Sequence, residues 1–178
     1  MTEFSAATPE KRETVDDNAR KFVIGTIDPA FLTNQNARSY EMVTDWIETG
    51  EDNEKKVVVK VYPDKIQRLL IEKVTKDGNR VADKQSIDES KYNEYLAVAG
   101  PHSEKRRYEF EYEQNGINFI VKYDEFVGSQ LRILEIEAPT EQQGDSFDPY
   151  DFPAELVEVT GQLQYYGYRI ADTVKSIS

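Results

Sequence analysis

Charged residues recur at alternate positions of segments that otherwise read as β-strands, and this pattern constrains the chain more than any other. Lys60, Lys73, Arg107, Asp124, Glu135 and Glu137 each lie in such a segment. A strand sends alternate side chains to opposite faces. Each segment therefore has one polar or charged face and one mostly apolar face. If the charged faces converge, they line a cavity holding both cations and carboxylates. Such a cavity suits a metal-bound phosphate chain.

Strands are expected over residues 18–26, 40–47, 56–62 and 67–74, with a weaker one over 79–84. Three more are expected over 105–113, 117–124 and 131–137. Tyr108, Phe110 and Tyr112 share one face, and Arg107, Glu109 and Glu111 the other. Phe119, Val121 and Tyr123 oppose Lys122 and Asp124. Asp77-Gly78 and Asn115-Gly116 are hairpin-turn pairs. Asp28-Pro29 reads as a helix start, because Asp accepts bonds from free N–H groups and Pro fits the first turn. A helix is expected over 86–99. Ser86 and Glu89 have capping-box spacing, Tyr92, Tyr95, Leu96 and Ala99 recur at helical spacing, and Gly100-Pro101 stops it. Residues 139–153 read as a long acidic loop, followed by a short helix at 154–157 and a C-terminal segment at 164–174.

Eight strands joined largely by hairpin-length turns, with helices between and after them, give an α+β reading. The expected architecture is an eight-stranded antiparallel β-barrel, a tunnel, with flanking helices. An open sheet with its charged face in water remains the alternative. Residues 1–16 are polar and aperiodic and are expected to form a flexible arm. Residues 17–178 are expected to form a single domain, a size that buries most of its apolar surface.

The formal charge of −12 and pI near 4.6 exclude a general nucleic-acid binder, which needs a basic face, but not a basic pocket. Without cysteine there are neither disulfides nor thiolate metal sites. The single histidine, His102, follows Pro101 and is expected in a surface loop. No apolar stretch reaches membrane-spanning length, and the N-terminus lacks a basic-then-apolar signal, so a soluble cytoplasmic protein is expected.

A triphosphate requires cations from several directions, because each oxygen accepts more than one donor. Lys21, Lys60, Lys73 and Arg107 are the candidate phosphate-binding residues. Hydrolysis also calls for a divalent ion, and oxygen ligands suit Mg²⁺ or Mn²⁺. Asp124, Glu135 and Glu137 are the candidate metal ligands, and Lys21, Glu135 and Glu137 the candidate catalytic set. Period two aims Glu135 and Glu137 at one point. Tyr165, Tyr166 and Tyr168 are expected to pack on the sheet, with a homodimer contact as their other use.

Two stretches, YDEFVGSQLRILEIEAP from Tyr123 and ELVEVTG from Glu155, carry a family resemblance together with Lys105-Arg106-Arg107-Tyr108. They resemble the C-terminal half of the CYTH, or triphosphate tunnel metalloenzyme, superfamily. The similarity in order and spacing runs from about residue 17 to residue 171. Tyr165 to Ala171 resembles the segment leading to that family's C-terminal helix. The resemblance implies an eight-stranded barrel around a tunnel. It makes Asp124, Glu135 and Glu137 metal-side acids, and Lys60, Lys73 and Arg107 phosphate-side bases. The family's first strand reads E-x-E-x-K, and the matching stretch here is Asp17-Asn18-Ala19-Arg20-Lys21. Lysine is kept, but alanine replaces the second glutamate and cannot bind metal. Where the family has paired arginines, this chain has Val58 and Lys60. Lys122 adds a cation on the face of Asp124, where it replaces part of a metal's role or locks a salt bridge. The implied function is metal-dependent hydrolysis of a triphosphate-containing compound: inorganic triphosphate, thiamine triphosphate or a nucleotide. The alternative is a tunnel barrel that binds a nucleotide or polyphosphate without turnover.

Overall fold

The computed structural model describes residues 12–16 and 19–177, with 12–16 and 173–177 described by their backbone alone. The chain begins with β1 (Arg12–Asp16), β2 (Arg20–Ile24) and α1 (Pro29–Asn34). A meander of β3 (Arg38–Thr49), β4 (Asn53–Val61), β5 (Ile66–Lys76) and β6 (Asn79–Ser86) follows, then α2 (Glu89–Leu96). Next come β7 (His102–Gln114), β8 (Ile117–Phe126), β9 (Arg132–Glu137), α3 (Glu141–Asp145), β10 (Leu156–Glu158) and α4 (Gly167–Ile177).

All ten strands join one sheet in the order β1-β6-β5-β4-β3-β7-β8-β9-β2-β10, and every pairing is antiparallel. The expected count of eight is thus exceeded, and no ladder among the described residues joins the sheet's two ends. The ends are nevertheless close. Only four Cα steps separate Asp16, which pairs with β6, from Arg20, which pairs with β9. Such a span reaches at most about 15 Å, so the sheet is rolled.

The hairpins follow the sequence closely. Asp77 and Gly78 have φ of 52° and 80°, and Asn115 and Gly116 have 52° and 79°. Two consecutive left-handed residues match the twist of the flanking strands, and Asp-Gly and Asn-Gly tolerate them. Gly167 answers a different need: a Cβ there would lie 2.8 Å from Cζ2 of Trp46. Its absence lets α4 seat Tyr168 and Ala171 against that buried indole.

The apolar faces of β2, β7, β8 and β9 build the largest core, around Phe22, Phe110, Phe119, Val121, Leu134 and Ile136. Helix α1 covers part of it. Asp28 caps this helix by accepting from the Ala30 N–H at 2.9 Å, and Phe31 meets Phe110 and Phe152 edge-on. Edge-on packing suits the aromatic quadrupole.

Four local expectations are corrected. Helix α2 is capped by Asp88, which accepts from the Lys91 N–H at 2.7 Å, not by Ser86. Ser86 is held extended by pairing with Leu69 at the end of β6. The stretch 139–153 is not a plain loop: it holds α3 and a 3-10 turn at Pro149–Asp151, because Phe147 and Phe152 bury their rings in the main core. Of residues 154–157, expected to form a helix, Leu156 and Val157 instead begin β10, where Leu156 pairs with Ile24. Arg12–Asp16, expected within a flexible arm, pair with β6, and the rest of that expected arm lies outside the described residues. Among the described residues no helix is long and apolar enough to cross a membrane.

Candidate anion-binding cavity

The concave face of the rolled sheet encloses a cavity of about 610 Å³ whose wall includes side chains from β2 through β9. That volume falls in the range of small-molecule sites. Ten lysine or arginine residues and six aspartate or glutamate residues line it, in a protein whose overall charge is −12. Every site residue expected from the sequence is part of this wall: Lys21 on β2, Lys60 on β4, Lys73 on β5, Arg107 on β7, Asp124 on β8, and Glu135 and Glu137 on β9. On β4, β5, β7, β8 and β9 the two-residue period delivers them there, since their neighbours do not line the cavity.

On the β7–β9 side the charges satisfy one another. Asp124 is completely buried and pairs with Arg107 across the β7–β8 ladder. Nε and Nη2 of Arg107 donate to its two oxygens at 2.7 Å each, and Nζ of Lys105 donates at 2.7 Å as well. A bidentate pair of this kind is short, strong and geometrically fixed. Burial opposes ionisation of Asp124, but Arg107 and Lys105 outweigh it and hold the carboxyl below its ordinary range. Burial likewise opposes the charge on Arg107, and Asp124 more than restores it. Glu135 lies 3.8 Å from both Lys21 and Arg107. Burial raises its pKa, yet Arg107, Lys21, Lys105 and Lys122 together draw it well below the usual carboxylate value. Lys21 also donates to the carbonyl of Tyr165 at 3.0 Å, which ties β2 to the segment before α4.

The β4–β6 side is more cationic. Glu54 is its buried carboxylate. It accepts from Trp46 Nε1 at 2.9 Å, Lys56 at 2.7 Å and Arg80 at 2.9 Å. Burial works against its charge, and Lys56 and Lys73 pull it down to about 2. Lys56 is itself lowered by burial to about 8. Lys60 forms no salt bridge with any described residue and rests 5.6 Å from the ring centroid of Tyr40. Burial lowers its ammonium to about 8, and the charges of Arg107, Lys84 and Lys122 push the same way. The part of this shift that comes from the neighbouring cations favours an anion beside Lys60.

The three candidate metal ligands do not fit a shared divalent site in this arrangement. Asp124 has both oxygens committed to Arg107 and Lys105. Glu137 accepts from Lys122 at 2.6 Å. Glu135 is surrounded by four cations. Ala19 lines the cavity without offering a ligand atom. No group of three or more His, Asp or Glu side chains among the described residues is placed to hold a metal ion.

The sequence reading missed Lys56, Lys84 and Lys105 as cavity residues. Period two was the available signal: Lys105 precedes Arg107 by two and Lys56 precedes Lys60 by four. His102 lies outside the cavity, at the start of β7 and half-exposed, not in the expected loop. Its Nδ1 is 2.7 Å from Asp45 and its Nε2 3.1 Å from Glu104.

Solved structures share this fold. A crystal structure of the inorganic triphosphatase NE1496 superposes with a TM-score of 0.56 at 20% identity, covering 90% of this chain and 97% of that one. A second structure of NE1496, described as a hypothetical protein, gives 0.55 at 18% identity, covering 94% and 99%. The PH1819 protein from Pyrococcus horikoshii OT3 gives 0.52 at 16% identity, covering 71% and 82%. No protein-family model matches the chain. No curated protein matches it in sequence. What the chain shares with these structures is the fold.

Proposed function

We propose that this protein takes a triphosphate-containing small molecule into its cavity, with phosphohydrolase activity of the triphosphatase type. The observation that carries the reading is a strongly cationic cavity, ringed by eight strands, inside an acidic protein. Lys60, Lys73 and Arg107 approach from three strands and supply donors from different directions, as a chain of phosphates requires. Lys21, 3.8 Å from Glu135, adds a fourth strand's cation beside an ionised carboxylate, the place for a water that attacks the terminal phosphorus. A barrel closed around the phosphate chain is part of this proposal, with the short Asp16–Arg20 link bringing its edges together. The fold shared with an inorganic triphosphatase supports hydrolysis, with inorganic triphosphate, thiamine triphosphate and nucleotides as candidate substrates.

A second reading, binding without turnover, is favoured by the ion-paired state of Asp124 and Glu137 and by Ala19. Phosphate release from tripolyphosphate, ATP and thiamine triphosphate, with Mg²⁺ or Mn²⁺ added, decides between them. Release from at least one compound establishes hydrolysis. Thermal stabilisation without release establishes the binder. If neither is seen, the triphosphate reading is abandoned.

A further inference from the structure

Lys122 occupies a revealing place on the cavity wall. It lies on β8, directly across the ladder from Glu135 on one side and Glu109 on the other. Its Nζ donates to Glu137 Oε1 at 2.6 Å, and its side chain is only 14% exposed. The ammonium thus lies against the paired acids on the cavity wall, and its charge is felt by Glu135 and by Lys60. An ammonium has three donors. One is spent on Glu137, and the others are available to bridge to an anion. A divalent ion bound there would have to displace this ammonium and strip cations from Glu135. The wall also carries more basic than acidic residues already.

We propose that the cavity binds its phosphate chain as the metal-free polyanion, with the Lys122 ammonium in the position where a divalent cation would otherwise bridge carboxylate and phosphate. This rests on the triphosphate reading above and removes the divalent ion from it as a requirement for binding. A complex of Mg²⁺ with tripolyphosphate carries less negative charge and retains tightly held waters. It therefore matches a wall of fixed cations less well than the free anion does.

Isothermal titration with sodium tripolyphosphate, once in EDTA and once in excess MgCl₂, tests the proposal on the intact chain. Binding in EDTA is expected to be at least as tight as in MgCl₂. Lys122→Gln is expected to weaken binding in EDTA by about tenfold, equivalent to about 1.4 kcal/mol. Added Mg²⁺ should then recover part of that loss, because Glu135 and Glu137 are freed for it. Lys122→Arg should retain most of the EDTA affinity, and it serves as a second variant if Lys122→Gln fails to fold. Binding seen only with Mg²⁺ overturns the proposal while leaving the triphosphate reading intact. So does an EDTA affinity unchanged by Lys122→Gln. Absence of binding in both buffers overturns the two together.

Discussion

The two sides of the cavity use charge in opposite ways. On the β7–β9 side, Arg107 and Lys105 both donate to the buried Asp124, and the bidentate pair keeps Arg107 and Asp124 charged. On the β4 side, Lys60 is half-buried among other cations with no salt-bridge partner among the described residues. The first arrangement serves the protein's own stability and fixes a donor geometry. The second opposes folding slightly and becomes favourable only when an anion arrives. Charge lining a cavity is therefore not one property, and its two kinds respond differently to mutation.

The largest effect is expected from breaking the satisfied side. Asp124→Ala strands Arg107 and Lys105 in a buried site, and removing one partner of such a cluster costs about 3–5 kcal/mol. Urea denaturation should show a markedly lower midpoint. A midpoint within error of the parent would mean that the cluster is hydrated in solution.

Lys60→Met should behave in the reverse manner. Its Tm is expected to be unchanged or raised, since a disfavoured charge is removed. Tripolyphosphate affinity should fall by about tenfold, roughly one charge-assisted contact. Equal losses of stability and affinity would erase the distinction between the two sides.

A pH series sharpens the same contrast. Lys60 stands at about 8 in the folded protein, below the roughly 10.4 of an unfolded lysine. The unfolded state therefore binds more protons between these values, and stability rises with pH across that window. Lys56 and Lys105, also lowered by burial to about 8, act in the same sense. Ligand binding runs the other way: an anion favours the ammonium, so affinity should fall as pH climbs through about 8. Calorimetry near that pH, in buffers of different ionisation enthalpy, should reveal proton uptake on binding. No uptake would show that these lysines are already fully charged.

The smallest effect is expected at a residue outside the cavity wall. Burial lowers the pKa of His102, but its bonds to Asp45 and Glu104 together outweigh this and raise it. Its contribution is fully present below the unfolded value near 6.5 and is lost as pH rises through the higher folded one. Because the ring is half-exposed, His102→Ala should cost only a few tenths of a kcal/mol at pH 5.5 and nothing at pH 9. Thermal melts at the two pH values read the difference.

The eight strands β2 to β9 were legible because hydrophobic alternation and Asp-Gly and Asn-Gly turns are local signals. So was the shared face of Lys60, Lys73, Arg107, Asp124, Glu135 and Glu137. The cap of α2 was misread because Ser86 and Asp88 both have capping chemistry, and only pairing with Leu69 keeps Ser86 in a strand. Residues 154–157 were misread as helix because the extended form of Leu156 and Val157 depends on β2 lying alongside. Likewise, no local pattern distinguishes an acid that will be captured by arginine from one left open to a ligand.

The sequence by itself determined that this chain forms antiparallel strands with one charged face, because side-chain alternation is a property of the strand alone. Only the tertiary structure decided that those faces curl around one cavity, and that Arg107 and Lys105 claim Asp124 while Lys60 forms no salt bridge with any described residue. Those choices depend on distances of a few ångströms between strands far apart in the chain, at which an ion pair either closes or does not.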